Sequence, residues 1–223
     1  MKTLQCETFH NQSDFAKILH IKIDIERILL EIEHVLTFDV DVNYGISAWL
    51  QMPKELISKD ILGWHPPLSS FVKNKNTAWT KKCKWTYREC KERNFINPAC
   101  ECSDAFDTFC YDMPYTNEII KKLNLYKSFV SIIPPNSSIQ SHQDPVPKLQ
   151  IPLQTNEDIY FSIDVNSENH SKKTGQKNSI HLPNDGSIFY VNTRKWHSVN
   201  NMSNENRIHI CGDISPCMIE LLN

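Results

Sequence analysis

The chain has 223 residues, enough for one well-buried domain with an extension but too few for two independent enzymatic domains. Hydrophobic residues at 40% and charged residues at 22% exclude a disordered or fibrous polypeptide. A formal net charge of -2 excludes the broad basic surface by which proteins attach to nucleic acid through its phosphates.

The opening stretch, MKTLQCETFHNQSDF, lacks the apolar core of a secretory signal, and no later run is long enough to span a bilayer. A soluble, cytoplasmic protein is expected, with no membrane partner and with its eight cysteines as reduced thiols. Ile21 to Leu36 carries apolar side chains at Ile25, Ile28, Leu29, Ile32, Val35 and Leu36 with charges between them, the spacing of a helix. From Trp49 to Tyr115 the chain is rich in Trp, Pro and Cys and has no clean period. Within it lies a short basic stretch, Lys81 to Arg93, with Trp85 and Tyr87; such a run is ordinarily a solvated face, so a nucleic-acid partner is not expected. Cys83, Cys90, Cys100, Cys102 and Cys110 cluster nearby but lack the paired C-x-x-C knuckles of a thiolate zinc site, and are read as plain thiols. Asn117 to Leu123 suggests a second short helix, with Asn117 or Thr116 as its N-cap.

From Tyr126 onward the pattern switches to short β-branched or aromatic runs divided by turn-formers. Strands are expected near Phe129–Ile133, Ile139–His142, Leu149–Leu153, Ile159–Asp164, Ser179–Leu182, Ser187–Val191, His197–Val199 and Arg207–Gly212. Pro134-Pro135-Asn136, Asn156-Glu157-Asp158, Asn184-Asp185-Gly186 and Asn200-Asn201 mark turns. Short strands in such succession, with no helices between them, predict a mainly β fold with flanking helices: a double-stranded β-helix, or cupin-like jelly roll, over residues 126–223. Residues 1–125 form the expected helical and irregular region that packs on this barrel and shapes the substrate site.

In Ser141-His142-Gln143-Asp144-Pro145, His142 and Asp144 are two apart in extended chain, so both side chains project from one face. Pro145 disfavours helical backbone at Asp144. His197, at a predicted strand start, completes two imidazoles and one carboxylate, the facial triad of non-haem iron(II) oxygenases. Ten residues on stands Arg207, followed by His209. If residues 200–206 turn the chain back, the Arg207 strand runs antiparallel beside the His197 strand, with Arg207 and His209 on one face and Ile208 and Ile210 on the other. A guanidinium there neutralises the charge of a bound 2-oxoglutarate through its far carboxylate.

The segment from Tyr126 to Ile214 resembles the aspartyl/asparaginyl β-hydroxylase-like group of 2-oxoglutarate oxygenases, which includes hydroxylases of free proline. The resemblance is carried by Ile132-Ile133-Pro134-Pro135 ahead of Ser141-His142-Gln143-Asp144, by Ile151-Pro152-Leu153-Gln154-Thr155-Asn156, by Phe189-Tyr190-Val191-Asn192 before Trp196-His197-Ser198-Val199-Asn200-Asn201, and by Asn206-Arg207-Ile208-His209. It implies an iron(II) ion on His142, Asp144 and His197, with 2-oxoglutarate and dioxygen as cosubstrates and hydroxylation of a C–H bond in an amino acid, free or within a peptide. Arg207, Lys148 and His209 are the implied cosubstrate-binding residues, and Asn192 and Gln150 the candidates for the pocket wall. The β-hydroxylase branch proper has glycine where this chain has Asp144, and many members carry arginine and histidine where it has Lys148 and Gln150. Three other readings fit parts of the pattern: a metal-binding cupin with non-oxidative chemistry, a non-catalytic jelly-roll binding module, and a nucleic-acid oxygenase using the Lys81 to Arg93 stretch.

Overall fold

Strand β1 (Leu4–Phe9) pairs antiparallel with β2 (Gln12–Ile18), helix α1 (Ile25–Ile32) runs into a 3-10 turn (Glu33–Val35), and β3 (Ile46–Trp49) and β4 (Gln51–Met52) follow. Strand β5 (Thr108–Phe109) pairs with β4 and leads into helix α2 (Pro114–Lys122). The remaining strands are β6 (Tyr126–Ile133), β7 (Ser137–His142), β8 (Lys148–Gln154), β9 (Ile159–Asp164), β10 (Lys177–Ile180), β11 (Phe189–Val191), β12 (His197–Asn201), β13 (Arg207–Asp213) and β14 (Ile219–Leu221). The computed structural model describes residues 3–10, 12–35, 46–52, 108–144, 146–167, 173–214 and 218–221. Apart from Cys110, the cysteine cluster lies outside these residues, as does the whole basic stretch from Lys81 to Arg93.

A large sheet runs in the order β14-β1-β2-β11-β8-β13-β6-β3, and a small one in the order β10-β9-β12-β7. From β6 to β13 the chain alternates between the two sheets at every connection except the β9–β10 hairpin, which is the topology of a jelly roll. Both sheets contribute side chains to one core: Ile133, Phe189 and Val191 from the large sheet meet Phe161, Ile163, Ile180 and Val199 from the small one. On its outer face the large sheet buries Val130, Ile132, Leu149, Ile151, Ile208 and Ile210 against Ile28 and Ile32 of α1 and Ile119, Ile120 and Leu123 of α2. At about 25 cal/mol per Å² of apolar surface removed from water, these two cores are the main source of stability.

One expectation is overturned. The strands carrying His197 and Arg207 are not neighbours: β12 pairs with β7 and β9, whereas β13 pairs with β6 and β8 in the opposite sheet. The reason lies at Asn201, fully buried, whose side-chain amide donates to the carbonyls of Ile133 (2.9 Å), Pro134 (3.0 Å) and Glu205 (2.7 Å) while its oxygen accepts from the Ser203 N–H (3.0 Å) and hydroxyl (2.7 Å). These bonds carry the chain across to the other sheet instead of folding it into a hairpin.

The helices also start differently from expectation. Helix α1 begins at Ile25 because Asp24, in extended conformation, accepts from the Arg27 N–H at 3.1 Å. Helix α2 begins three residues before Asn117, with Pro114 in its first turn, and neither Asn117 nor Thr116 is its N-cap. Its open N–H groups are satisfied from α1: Glu31 accepts from the N–H of Tyr115 (2.9 Å), the N–H of Thr116 (2.8 Å) and the Thr116 hydroxyl (2.7 Å).

Candidate metal centre

His142 ends β7 and His197 begins β12, and the two are Cα partners across the small sheet with ring centroids 4.2 Å apart. Asp144 follows on the loop after β7, which is clamped to the turn before β12: the Asp144 N–H donates to the Thr193 carbonyl at 2.9 Å, and the Gln143 amide to the Arg194 carbonyl at 3.1 Å. One potential ligand atom from each of the three residues lies within 4.8 Å of the others. Asp144 Oδ1 is 3.9 Å from His142 Nε2, and Oδ2 is 3.6 Å from His197 Nε2.

Backbone carbonyls set the tautomers. His142 Nδ1 lies 2.8 Å from the Gln140 carbonyl and His197 Nδ1 3.0 Å from that of Lys195. A carbonyl only accepts, so each Nδ1 carries a proton and each Nε2 is the ring atom turned toward Asp144. Burial pulls the pKa of His197 down to about 4 against the raising influence of Asp144, which keeps the ring neutral. Burial works against the charge of Asp144, yet Lys148 and then the two imidazoles hold its pKa below the usual carboxylate range. Two imidazole nitrogens and one anionic oxygen therefore converge, and the side-chain exposures of 44% at His142 and 4% at His197 open the group on the His142 side.

The opposite wall is the inner face of the large sheet. Along β13 the side chains of Arg207, His209, Cys211 and Asp213 share one face by the two-residue repeat, and Lys148 and Gln150 of β8 join them. Arg207, only 3% exposed, donates to Ser131 Oγ (3.3 Å), Gln150 Oε1 (3.3 Å) and His209 Nδ1 (2.8 Å). Among the described residues no carboxylate forms an ion pair with it, and burial pulls its pKa down to about 10. His209 Nε2 is buried without a hydrogen-bond partner in the described structure. Lys148 is engaged differently: its ammonium lies 2.5 Å from Asp213 and 3.6 Å from Asp144. Burial disfavours its charge, but the two carboxylates together raise its pKa.

The sequence-derived candidates therefore divide into three sets. His142, Asp144 and His197 form one cluster; Arg207, His209 and Gln150 form a second; Lys148 links the first to β13. Asn192 belongs to neither cluster by its hydrogen bonding, since its amide donates to Asp14 at 3.0 Å, where Lys195 also pairs at 2.9 Å. Asp213, Cys211 and Ser131 are additions that the sequence reading did not single out. The signal was present for two of them, because Arg-x-His-x-Cys-x-Asp from 207 to 213 is an unbroken polar alternation opposite an apolar one.

The sequence profile of the aspartyl/asparaginyl β-hydroxylases matches residues 55–216, well over half of the chain. Comparison with curated proteins gives no match. Among solved structures the chain is similar to AviO1 from Streptomyces viridochromogenes, at 11% identity over 92% of this chain and 91% of that one with a TM-score of 0.43. It is similar also to a prolyl-4-hydroxylase from Pseudomonas putida, at 12% identity over 85% and 97% with a TM-score of 0.31. A cupin domain from Bordetella pertussis aligns at 15% identity over 40% of this chain and 80% of that one, with a TM-score of 0.32.

Proposed function

The chain belongs to the aspartyl/asparaginyl β-hydroxylase family, an oxidative enzyme family, and from that premise we propose that it is an iron(II)- and 2-oxoglutarate-dependent dioxygenase hydroxylating a C–H bond of an amino acid, free or in a peptide. One observation carries the reading: a two-histidine, one-aspartate donor set stands in the same barrel as a buried guanidinium that no carboxylate among the described residues neutralises. Iron(II), 2-oxoglutarate and dioxygen supply the oxidising power for such a reaction, with succinate and carbon dioxide as co-products.

The donor set fits the metal. The Nε2 atoms of His142 and His197 and the ionised carboxylate of Asp144 are the ligand types a non-haem iron(II) site uses, and three protein ligands leave positions for other partners. The inner face of the large sheet fits a dicarboxylate. Asp144 offsets one charge of a divalent ion, a dianionic cosubstrate leaves one negative charge over, and Arg207 cancels it. The unpartnered His209 Nε2 offers a further hydrogen-bond donor beside that guanidinium.

The chain's own work in catalysis is to hold its ligands and exclude water. The carbonyls of Gln140 and Lys195 keep both imidazoles in the ligating tautomer, and Phe161, stacked on His197 at 5.5 Å and 9°, restricts that ring from the core side. Asp144 occupies the position that is glycine in the β-hydroxylase branch proper, so this chain offers a carboxylate ligand where that branch offers none. Among the described residues no helix is long and apolar enough to cross a membrane. A cytoplasmic location accords with the free thiols Cys6, Cys110 and Cys211.

The deciding experiment screens amino acids and short peptides for iron(II)-dependent stimulation of succinate release from 2-oxoglutarate. A stimulating compound that gains one oxygen atom supports the reading and names the substrate class. Turnover indifferent to 2-oxoglutarate would return the protein to the metal-binding cupins with non-oxidative chemistry.

A further inference from the structure

A buried guanidinium and a largely buried ammonium face the interior of the barrel, and the structure distributes carboxylates between them unequally. Arg207 has hydroxyl, amide and imidazole partners and no ion pair among the described residues, whereas Lys148 has two carboxylates. Lys148 and Asp213 are Cα partners across β8 and β13, with side chains 13% and 3% exposed. The ammonium is bonded to Asp213 at 2.5 Å and reaches Asp144 Oδ2, the oxygen that also faces His197 Nε2, at 3.6 Å. An ammonium is a compact point charge; resting directly on Asp144 with no other counter-ion, it competes with any metal for that oxygen.

We propose that Lys148 and Asp213 are positioning residues for the metal ligand Asp144: Asp213 absorbs the charge of Lys148, so that the ammonium steers the Asp144 carboxylate without capturing it. Lys148 is then not a cosubstrate anchor, and that task falls to Arg207 and its neighbours. This inference rests on the metal-centre reading above.

The test is Ni(II) binding to the metal-free full-length chain by titration calorimetry, paired with the KM for 2-oxoglutarate. Asp213→Asn keeps the shape of the side chain but strands the ammonium, which then closes on Asp144; Ni(II) affinity falls by about tenfold, the scale of one charge-assisted contact. Lys148→Met combined with Asp213→Asn removes the competitor together with its counter-ion, and recovers most of that loss while the KM for 2-oxoglutarate stays within about twofold of the parent, a margin well below one lost hydrogen bond. Unchanged Ni(II) affinity in Asp213→Asn overturns the proposal, as does a double variant that binds no better than Asp213→Asn. Should Asp213→Asn not fold, the double variant alone decides: a large rise in its KM for 2-oxoglutarate with Ni(II) binding intact makes Lys148 an anchor and ends the proposal, a Ni(II) affinity about tenfold below the parent's ends it too, and near-parental Ni(II) affinity with the KM within about twofold upholds it. A parent chain that binds no Ni(II) removes the metal centre itself, an outcome distinct from all of these.

Discussion

Arg207 Nη2 donates to His209 Nδ1 at 2.8 Å, and this bond fixes what the imidazole can do. A guanidinium has no lone pair to offer, so Nδ1 is the acceptor and the ring proton sits on Nε2. Gln150 Oε1 also approaches Nδ1, at 3.4 Å, which calls for the opposite tautomer; the shorter, charge-assisted bond governs. Burial, then the charge of Arg207, holds the pKa of His209 well below its ordinary value, so the ring stays neutral. The buried Nε2–H is thus a directed donor with no acceptor among the described residues, and under the proposed function that acceptor is an oxygen of 2-oxoglutarate.

His209→Phe fills the same space without the donor. Loss of one hydrogen bond to a charged oxygen is worth about 1.5–3 kcal/mol, so the KM for 2-oxoglutarate should rise roughly tenfold or more while Ni(II) affinity holds. His209→Gln, which retains an N–H, should recover part of the effect. Steady-state succinate assays on both variants check this, and a KM unmoved in His209→Phe removes the residue from the cosubstrate site.

Metal binding should stabilise the fold. At a Ni(II) concentration of about a hundred times the dissociation constant, linkage gives about 2.7 kcal/mol, visible as a raised melting temperature. His197→Ala and His142→Ala should each abolish that rise, and with it metal-dependent turnover. Asp144→Gly should lower the Ni(II) affinity and shrink that rise; an unchanged Ni(II) affinity in that variant shows that the carboxylate is not a ligand.

Glu31 makes helix packing sensitive to acid. Partial burial opposes its charge, but the N–H groups of Thr116 and Tyr115, the Thr116 hydroxyl and Arg27 hold its pKa below the ordinary value. A depressed folded-state pKa means that the contribution is fully present above the unfolded value of about 4.3 and is lost as pH falls through the folded value. Glu31→Ala should cost about 1–2 kcal/mol near neutrality, the scale of a lost helix cap. Urea unfolding at several pH values should show the gap between parent and variant closing as pH falls below the unfolded value. A gap independent of pH counts against ionised Glu31 as the cap.

Asn201→Ala removes the hinge between the two sheets. It leaves the carbonyls of Ile133, Pro134 and Glu205 short of a donor in a buried setting, at a cost of about 3 kcal/mol. Denaturant midpoints measure it, and a shift below about 1 kcal/mol, the size of a single hydrogen bond, contradicts the network.

Much of this arrangement was legible in the sequence because two-residue alternation and turn residues act locally. Ile159–Asp164 coincides with β9, and Asn184-Asp185-Gly186 is a turn in which Gly186 adopts a φ of 82°. At Gly186 a Cβ would stand 2.9 Å from the Ile23 carbonyl, so the glycine is required by close approach as well as by conformation. The N-terminal pair β1–β2 was not legible. Its strands set Glu7, Asp14 and Lys17 among apolar side chains with no sustained alternation, and they are strands because they extend a sheet built elsewhere in the chain. The cap of α2 comes from a residue 84 positions away, and no local pattern signals it. Likewise the sheet change at Asn201 and the pairing of Lys148 with Asp213 are tertiary events; a charge in a strand does not say which opposite charge the fold brings to it.

The odd and even positions of β13 answer to different demands. Ile208 and Ile210 turn outward to the helices, while Arg207, His209, Cys211 and Asp213 turn inward. Point changes at the inward positions leave the hydrophobic layer largely untouched, and repacking the outward ones alters thermal resistance with the inward polar set preserved. A single inserted or deleted residue inside this strand has no such freedom. It would exchange the two sets at a stroke, thrusting a guanidinium into the oily layer and isoleucines among the buried polar side chains, so this segment should tolerate replacement far better than any change of length.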